Sequence, residues 1–441
     1  MHLTSLALTD FRSYAQLELP FAPGITVLVG PNGQGKTNIV ESLWYLATLS
    51  SHRVPHDAAL VRRGQSTAII RASFVRAGRP LQVDLQLTPG KSNRARVQGQ
   101  NLNRLRDLLG EVRAVLFAPE DLGLVKADPE GRRRFLDELL FLIAPRFAGV
   151  KADYDRVVKQ RSGLLKQMRT MRRGGFGRGV GGLDPEETAA STLEVWDGQL
   201  ARLGAELLRA RLHLVNRLRP HVGYSYLRVA TDAGAEEALD LLPADRGAVD
   251  SPADIAYRSA VIDAIGPAEG ELPSLRALHD ALLAEAAAVR GDEIDRGVTL
   301  VGPHRDDLEI RLHDSPAKGY ASHGESWSLA LALRLGSYDL LRLEEGDLGD
   351  GEPILVLDDV FSELDVHRRE RLGRIISGAR QVIITTANDS DIPASLAGAI
   401  QVVDVELGSA TPREGSAGSL AAGGAGIPAP GATSSGAAGT W

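Results

Sequence analysis

The residues best suited to chemistry form one short run, residues 30–37, which reads Gly-Pro-Asn-Gly-Gln-Gly-Lys-Thr. The spacing G-x-x-x-x-G-K-T is typical of a P-loop, whose glycines let consecutive backbone N–H groups face a triphosphate. A lysine in this place contacts the β- and γ-phosphates, and a threonine ligates Mg²⁺. The run therefore predicts bound ATP and Mg²⁺, with the binding residues Gly30, Pro31, Asn32, Gly33, Gln34, Gly35, Lys36 and Thr37.

The sequence on either side supplies the elements that position such a loop. Residues 25–29 are apolar and mostly β-branched, which predicts a buried strand. Ile39, Leu43 and Leu46 recur at helical spacing directly after the loop. A helix that begins there directs the partial positive charge of its N-terminus at the phosphates. A glycine-rich turn that binds nothing is therefore the weaker interpretation.

A second run, residues 353–359, reads as an apolar strand that ends in two carboxylates. At the carboxyl edge of a parallel sheet these acids would lie beside the P-loop. Asp358 would hold Mg²⁺ together with Thr37, directly or through water, and Asp359 could orient the attacking water. The predicted catalytic set is Lys36, Asp358 and Asp359.

Two weaker signals surround the acids. Residues 322–325, Ser-His-Gly-Glu, open an apolar helix, and residues 361–365 read Phe-Ser-Glu-Leu-Asp. Small residues at a helix N-terminus suit a second phosphate contact, and a plain helix cap is the alternative interpretation. Lys36 and Asp358 lie about 320 positions apart, and most of the chain between them is helical in pattern. The sequence thus predicts a nucleotide-binding fold that is split by an inserted helical segment.

The spacing of apolar residues in the rest of the chain predicts the domain boundaries. Residues 2–20 and 67–117 alternate as strands do, and helical spacing begins near residue 120. Leucine-rich residues 193–214 keep a 3-4 spacing for three heptads, which predicts one half of an antiparallel helical hairpin. Residues 228–271 predict a short helix and loops. Strands are predicted again at residues 298–301 and 308–312. The domains predicted are residues 1–120 (first ATPase half), 121–297 (helical arm, flexible near 172–190), 298–407 (second ATPase half) and 408–441 (disordered tail).

Composition excludes several classes of protein. The chain has 441 residues, of which 43% are hydrophobic and 24% charged, and no run approaches the ~20 apolar residues that span a bilayer. The N-terminus, with Asp10, Arg12 and Glu18, is no signal peptide. The absence of cysteine excludes disulfides and thiolate metal sites and suits a reducing cytosol. With a net charge of −7, contact with nucleic acid would depend on local basic patches. We expect a cytoplasmic protein without a membrane partner.

The P-loop, Ser-x-Gly, Leu-Asp-Asp and Ser-Glu-Leu-Asp set resembles an ABC-type ATPase head of the kind in structural-maintenance and recombination proteins. Three further stretches resemble the RecF family of bacterial recombination mediators. They are Phe11-Arg12-Ser13-Tyr14; Pro119-Glu120-Asp121-Leu122 running to Pro129, Arg132-Arg133 and Phe135-Leu136-Asp137; and Gly302-Pro303-His304-Arg305-Asp306-Asp307. The resemblance spans about residues 1–407.

The chain departs from the family pattern in a few places. Ala127 replaces the usual glycine, and residues 322–327 read Ser-His-Gly-Glu-Ser-Trp where glutamines are more usual. No Q-loop glutamine is evident near Val115. Thr385-Thr386 stand where a transporter has its switch histidine, and RecF proteins are similar in this respect.

The resemblance implies an α/β fold, an ABC-type P-loop ATPase head whose mixed sheet is flanked by helices, with an inserted α-helical arm. It implies weak, DNA-stimulated hydrolysis of ATP by an ATP-dependent homodimer that closes on single-stranded or gapped duplex DNA. RecR and RecO would be partners, and RecA an indirect one. The second subunit would supply the signature residues, and Arg12 and Arg305 would support the nucleotide site. The implied signature and D-loop residues are Ser322, Gly324 and Glu325, and Ser362 and Asp365, respectively.

Other functions stay open at this point. A Rad50-like or structural-maintenance head would need a longer coiled coil than three heptads. A soluble transporter ATPase would have an uninterrupted fold, and a small-molecule kinase would have no use for the Ser-x-Gly or Ser-Glu-Leu-Asp runs. An ATP-gated binding protein that barely hydrolyses ATP is the last alternative, because Asp359 replaces the more usual, longer glutamate.

Overall fold

The computed structural model describes residues 1–174, 185–230, 251–268, 270–343, 352–396 and 400–414. Within these residues, no helix is long and apolar enough to cross a membrane. The strands are β1 (His2–Phe11), β2 (Tyr14–Pro20), β3 (Gly24–Val29), β4 (Ala68–Arg76), β5 (Arg79–Leu87), β6 (Arg94–Val97), β7 (Gln100–Asn101), β8 (Ala114–Phe117), β9 (Ala253–Arg258), β10 (Asp307–Leu312), β11 (Ser315–Pro316), β12 (Ile354–Asp358), β13 (Gln381–Thr386), β14 (Ile400–Glu406) and β15 (Ser409–Pro412). The α-helices are α1 (Lys36–Thr48), α2 (Leu122–Lys126), α3 (Pro129–Ile143), α4 (Arg146–Gly174), α5 (Pro185–Ala230), α6 (Ala260–Ile265), α7 (Leu275–Ala288), α8 (Arg290–Arg296), α9 (His323–Leu343) and α10 (Val366–Ile376).

A six-stranded sheet in the order β15-β14-β3-β13-β12-β8 carries the P-loop and the acidic strand. Its strands β14, β3, β13, β12 and β8 run parallel, and β15 pairs antiparallel with β14. All five residues of β12 are buried, as expected for an apolar run that is covered on both faces. The carboxyl ends of β3 and β12 therefore lie at the same edge, with β13 between them.

A second six-stranded sheet, in the order β2-β1-β4-β5-β6-β7, is antiparallel. Along β5, Leu81, Val83, Leu85 and Leu87 are buried, which confirms the period-two prediction. The predicted strand pair in residues 2–20 is confirmed by β1 and β2. Together the two sheets and the helices around them form the predicted mixed α/β head.

Helices α4 and α5 pack antiparallel, as the sequence predicts, because Arg161 binds Asp197 while Tyr154, earlier in α4, lies against Gly204, later in α5. At the far end of this helix pair, Leu165, Leu193 and Ile294 make a small apolar cluster of their own. Nearer the sheets, residues of α5 belong to the same continuous core as β1, β3 and β12. The C-terminal part of α5 packs on α9, where a Cβ placed on Gly336 would lie 3.0 Å from the backbone nitrogen of Val222. Pro220 lies inside α5 immediately before this contact.

Several sequence-based boundaries are wrong. Residues 253–258 form β9, which pairs with β10 in a separate three-stranded sheet, so the region 228–271 is not confined to a helix and loops. Residues 298–301 are not a strand. The predicted tail cannot begin at residue 408, because β15 extends the parallel sheet by pairing with β14. Residues 172–174 and 185–190 are helical, whereas the rest of the predicted tip and residues 415–441 lie outside the described residues.

Candidate nucleotide-binding site

The P-loop joins the end of β3 to the start of α1, as the sequence predicts. Gly33 and Gly35 adopt left-handed φ angles of +84° and +113°, which side chains disfavour. A Cβ on Gly30 would lie 2.2 Å from the Val405 carbonyl oxygen of β14. Glycine at position 30 thus allows the loop to leave the sheet beside its neighbouring strand.

Lys36 is buried at the base of this loop. Its Nζ donates hydrogen bonds to the carbonyl oxygens of Gly30 and, over 3.0 Å, Pro31. Burial lowers the pKa of Lys36, while the carboxylates of Asp359 and Asp358 raise it. The ammonium is therefore held within the loop, close to both acids that the sequence places in the catalytic set.

Asp358 meets the P-loop from the end of β12. Its Oδ1 accepts hydrogen bonds from Thr37 Oγ1 over 3.1 Å and from Thr385 Oγ1 over 2.6 Å. Burial raises the pKa of Asp358 to about 6, against the effect of the two hydroxyl donors. A hydroxyl and a carboxylate in contact provide the hard oxygen donors that Mg²⁺ takes in nucleotide sites.

Asp359 has the strained geometry that often marks a functional acid. Its φ is +54°, in the left-handed region, and its N–H donates to Thr385 Oγ1 over 2.9 Å. Its Oδ1 is buried and accepts no hydrogen bond from any described residue. A buried acceptor without a partner fits a water molecule held next to a metal ion.

The part of the chain that the structure describes has no group of three or more His, Cys, Asp or Glu side chains that could hold a metal alone. Thr37 and Asp358, together with oxygens of the nucleotide, would supply the ligands that Mg²⁺ takes in such sites. The residues present fit that arrangement.

The predicted signature residues lie at the N-terminus of α9, which we call the signature helix. Ser322 Oγ accepts from the Glu325 N–H over 3.3 Å, and Glu325 accepts from the Ser322 N–H over 2.8 Å. This reciprocal pair is a capping box, and the bonds to Ser322 lower the pKa of Glu325. Ser322 is exposed, and no described contact connects it with the P-loop. Within one chain these residues cap a helix.

The predicted D-loop residues lie between the two acids and the predicted signature residues. Ser362 Oγ donates to the Asp359 carbonyl oxygen over 2.7 Å. Asp365 caps α10 by accepting from the Arg368 N–H over 2.9 Å. A Cβ on Gly324 would lie 2.6 Å from Arg368 Nη1, so the first turn of α10 packs directly against the signature glycine.

The two arginines predicted to support the site have other partners. Arg12 makes a bidentate contact of 2.8 and 2.6 Å with the buried carboxylate of Glu41. This contact joins the turn between β1 and β2 to α1. Arg305 donates to the Thr299 carbonyl oxygen from Nε and Nη2 over 3.0 and 2.7 Å. The described contacts therefore join Arg12 to α1, the helix that follows the P-loop, and do not bring Arg305 to the loop.

The two longest family-like stretches contact each other. Arg132 binds Asp307 with two hydrogen bonds of 2.7 and 2.8 Å. Arg211 of α5 binds Asp137 through Nε and Nη2, both over 2.8 Å, and the Pro303 carbonyl oxygen over 2.7 Å. We call Asp137, Arg211 and Pro303 the clamp. These contacts fasten α3, α5 and the turn before β10 together.

His304 in the same turn is structural in this arrangement. Burial lowers its pKa to about 4, so the ring is neutral at pH 7. Its Nδ1 accepts from the Tyr154 hydroxyl over 2.8 Å, and its Nε2 donates to the Thr299 carbonyl oxygen over 3.2 Å. Both ring nitrogens are thus satisfied by the protein.

Sequence reasoning missed three residues of the site. Thr385 bridges the two acids, but the sequence drew attention to it only as the absence of a histidine. Glu41 lies at helical spacing among apolar residues without a motif, and its role depends on pairing with Arg12. His52 follows α1 in a loop and lies beside Asp358, which only the folded chain reveals.

The chain is similar to known proteins in sequence and in fold. A family model of the RecF/RecN/SMC N terminal domain matches residues 2–406. The DNA replication and repair protein RecF of Beutenbergia cavernae is 52% identical over 408 residues, covering 90% of this chain and 97% of that protein. RecF of Streptomyces avermitilis is 52% identical over 398 residues, covering 90% and 96% of the two chains.

A solved structure of the recombination mediator protein RecF with ATPrS, from the RecFOR pathway, has the same fold. It superimposes with a TM-score of 0.77 at 22% identity, covering 93% of this chain and 98% of that one. The ABC-type ATPase head predicted from the sequence is therefore confirmed. From the family match and the identity to its curated members, the chain belongs to the RecF family.

Proposed function

We propose that this protein is a RecF-type ATPase of DNA replication and recombinational repair that binds ATP between two copies of itself and holds DNA in the ATP-bound state. The contact of Thr37 Oγ1 with Asp358 Oδ1, 3.1 Å apart and 321 positions apart in the chain, carries the proposal. It joins the two halves of an ATPase site at one sheet edge. Membership of a family whose members are named DNA replication and repair proteins supports the cellular role.

Each residue of the site has a distinct task in this proposal. Lys36 exchanges its bonds to the loop carbonyls for the β- and γ-phosphates, while Thr37 and Asp358 hold Mg²⁺. Mg²⁺, when bound, neutralises charge on the phosphate oxygens. Asp359, through its unsatisfied Oδ1, orients the attacking water and accepts its proton. Because aspartate is one methylene shorter than the usual glutamate, turnover should be slow.

The signature helix completes the site from a second copy. Ser322 is exposed at a helix N-terminus, where N–H groups and the helix dipole favour an anion. Since no described contact joins it to the P-loop of its own chain, the phosphate that it binds belongs to a partner. ATP therefore links two copies, and hydrolysis releases them.

The dimer is proposed to close on single-stranded or gapped duplex DNA in the cytoplasm and, with RecR and RecO, to assist the loading of RecA. With a net charge of −7 the protein has no general affinity for polyanions. Contacts to DNA would then be mostly to phosphates, from local arginine and lysine side chains, and would weaken with salt. DNA is expected to stimulate the weak ATPase. A longer tether of the Rad50 kind is disfavoured, because α4 has only 29 residues.

Sedimentation velocity with and without ATP·Mg²⁺, each with and without gapped duplex DNA, tests the proposal. We expect a monomer that dimerises with ATP and holds DNA better as a dimer. Lys36→Ala should lose both responses while keeping its sedimentation coefficient without nucleotide. A protein that binds ATP but stays monomeric and ignores DNA would contradict the proposal.

A further inference from the structure

His52, in the segment that follows α1, has two buried ring nitrogens without a hydrogen-bond partner among the described residues. Its side chain is 10% exposed. Each ring nitrogen can donate or accept a hydrogen bond, according to the tautomer. Buried polar atoms are normally paired with protein groups or ordered water, so the ring can take a partner other than the described residues.

The position of the ring indicates what that partner is. His52 Nε2 lies 3.9 Å from Oδ2 of Asp358. This separation is too long for a hydrogen bond, and a water molecule commonly bridges polar groups at such distances. The other oxygen, Oδ1, already accepts from Thr37 and Thr385. Oδ2 is thus the oxygen of Asp358 that is open to a metal-bound water, and His52 is beside it.

We propose that His52 is a positioning residue of the metal site, which hydrogen-bonds a water of the Mg²⁺ coordination shell and fixes it against Asp358 Oδ2. The inference rests on the proposed ATPase site and adds one residue to it. His52 acts through water on the metal and need not touch the phosphates. Groups in this outer position typically change metal affinity 10- to 100-fold.

The chain offers a matched control for this residue. His56 lies four positions further along the same segment and is exposed. Replacing it tests the removal of an imidazole from this segment without disturbing the site. His52→Gln is the conservative variant, because its amide can still donate and accept a hydrogen bond.

The experiment measures binding of a fluorescent ATP analogue at increasing Mg²⁺ concentration, and again in EDTA. For His52→Ala we expect the half-saturating Mg²⁺ concentration to rise about tenfold, with unchanged affinity in EDTA. His52→Gln should recover most of the loss, and His56→Ala should match the unaltered protein.

Two results would overturn the inference. One is an unchanged Mg²⁺ requirement in His52→Ala, and the other is an equal loss of affinity with and without Mg²⁺, which would indicate only a packing role. Failure of the unaltered protein to bind the analogue at all would instead refute the proposed ATPase site. The two failures are therefore distinguishable.

Discussion

Replacing Arg211 with methionine tests whether the clamp is structural. Arg211 is fully buried and makes two hydrogen bonds to Asp137 and one to the Pro303 carbonyl oxygen. Arg211→Met keeps the bulk of the side chain but leaves the buried carboxyl of Asp137 without its main partner. The nearest remaining cation is Lys151, 4.0 Å away.

Breaking a buried ion pair from one side costs about 3–5 kcal/mol, and we expect about 3 kcal/mol here because Lys151 compensates in part. At about 2 °C per kcal/mol for a large chain, the thermal midpoint should fall by about 6 °C. Differential scanning calorimetry without nucleotide measures this change. Arg202→Met, which removes an exposed pair with Glu206, is the matched control and should change the midpoint by less than about 1 °C.

The double variant Asp137→Leu/Arg211→Met tests whether an apolar pair can replace the buried ion pair. An apolar pair of similar volume is often as stable as a buried ion pair, so at least half of the loss should be recovered. Burial already raises the pKa of Asp137 against the effect of Arg211, and removing Arg211 raises it further. When the pKa of a carboxyl is higher in the folded protein than in the unfolded chain, the free energy of unfolding falls as pH rises above the pKa of the unfolded chain. The deficit of Arg211→Met should therefore be larger at pH 8 than at pH 5.

Affinity for ATP is the second readout. The clamp makes no described contact with the P-loop, so folded Arg211→Met should bind ATP as tightly as the unaltered protein. A tenfold loss of affinity well below the melting transition, or a thermal midpoint within about 1 °C of the control, would refute the structural interpretation.

Three further substitutions address the nucleotide site. Asp359→Asn should keep ATP affinity but reduce turnover at least a hundredfold, as measured by phosphate release, because it cannot accept a proton; loss of binding would instead make Asp359 structural. Ser322→Arg should bind ATP normally yet stay monomeric in sedimentation, and an unimpaired dimer would exclude the shared site. Asp358→Asn should raise the nucleotide-free thermal midpoint at pH 7.5. The pKa of Asp358, about 6, lies above its unfolded value, so the ionised carboxyl destabilises the fold at that pH. The gain should vanish near pH 4, and a gain that is independent of pH would contradict this reasoning.

The P-loop and the acidic strand could be predicted because each is a local pattern with one structural meaning. A buried strand, a glycine turn and a helix leave little choice in the placement of Lys36 and Thr37. Parallel strands end at a common edge, so the meeting of Thr37 and Asp358 follows from the topology that the apolar runs indicate.

Other parts of the fold and of the site could not be predicted, because they depend on contacts between residues that are distant in the sequence. The strand β9 pairs with β10, 49 or more positions later, and its six residues are too few to show a clear period in the sequence. Arg305 stood in a motif rich in charged residues, yet its partner is a carbonyl oxygen six residues earlier. The fold brings His52 and Thr385 to the carboxylate of Asp358, which spacing along the chain cannot reveal.

Because helix α5 is long, a small rotation at one end of it produces a large displacement at the other end. One part of it pairs with α4 at Asp197, and another packs on the signature helix at His221 and Val222. Along roughly 36 Å of helix between these contacts, at about 1.5 Å per residue, a rotation of about 5° displaces the far end by roughly 3 Å. Pro220 adjoins the signature helix and donates no hydrogen bond to the Asn216 carbonyl, so α5 bends most easily there. The stiffness of α5 at Pro220 thus sets how far a movement of the signature helix is transmitted to the hairpin.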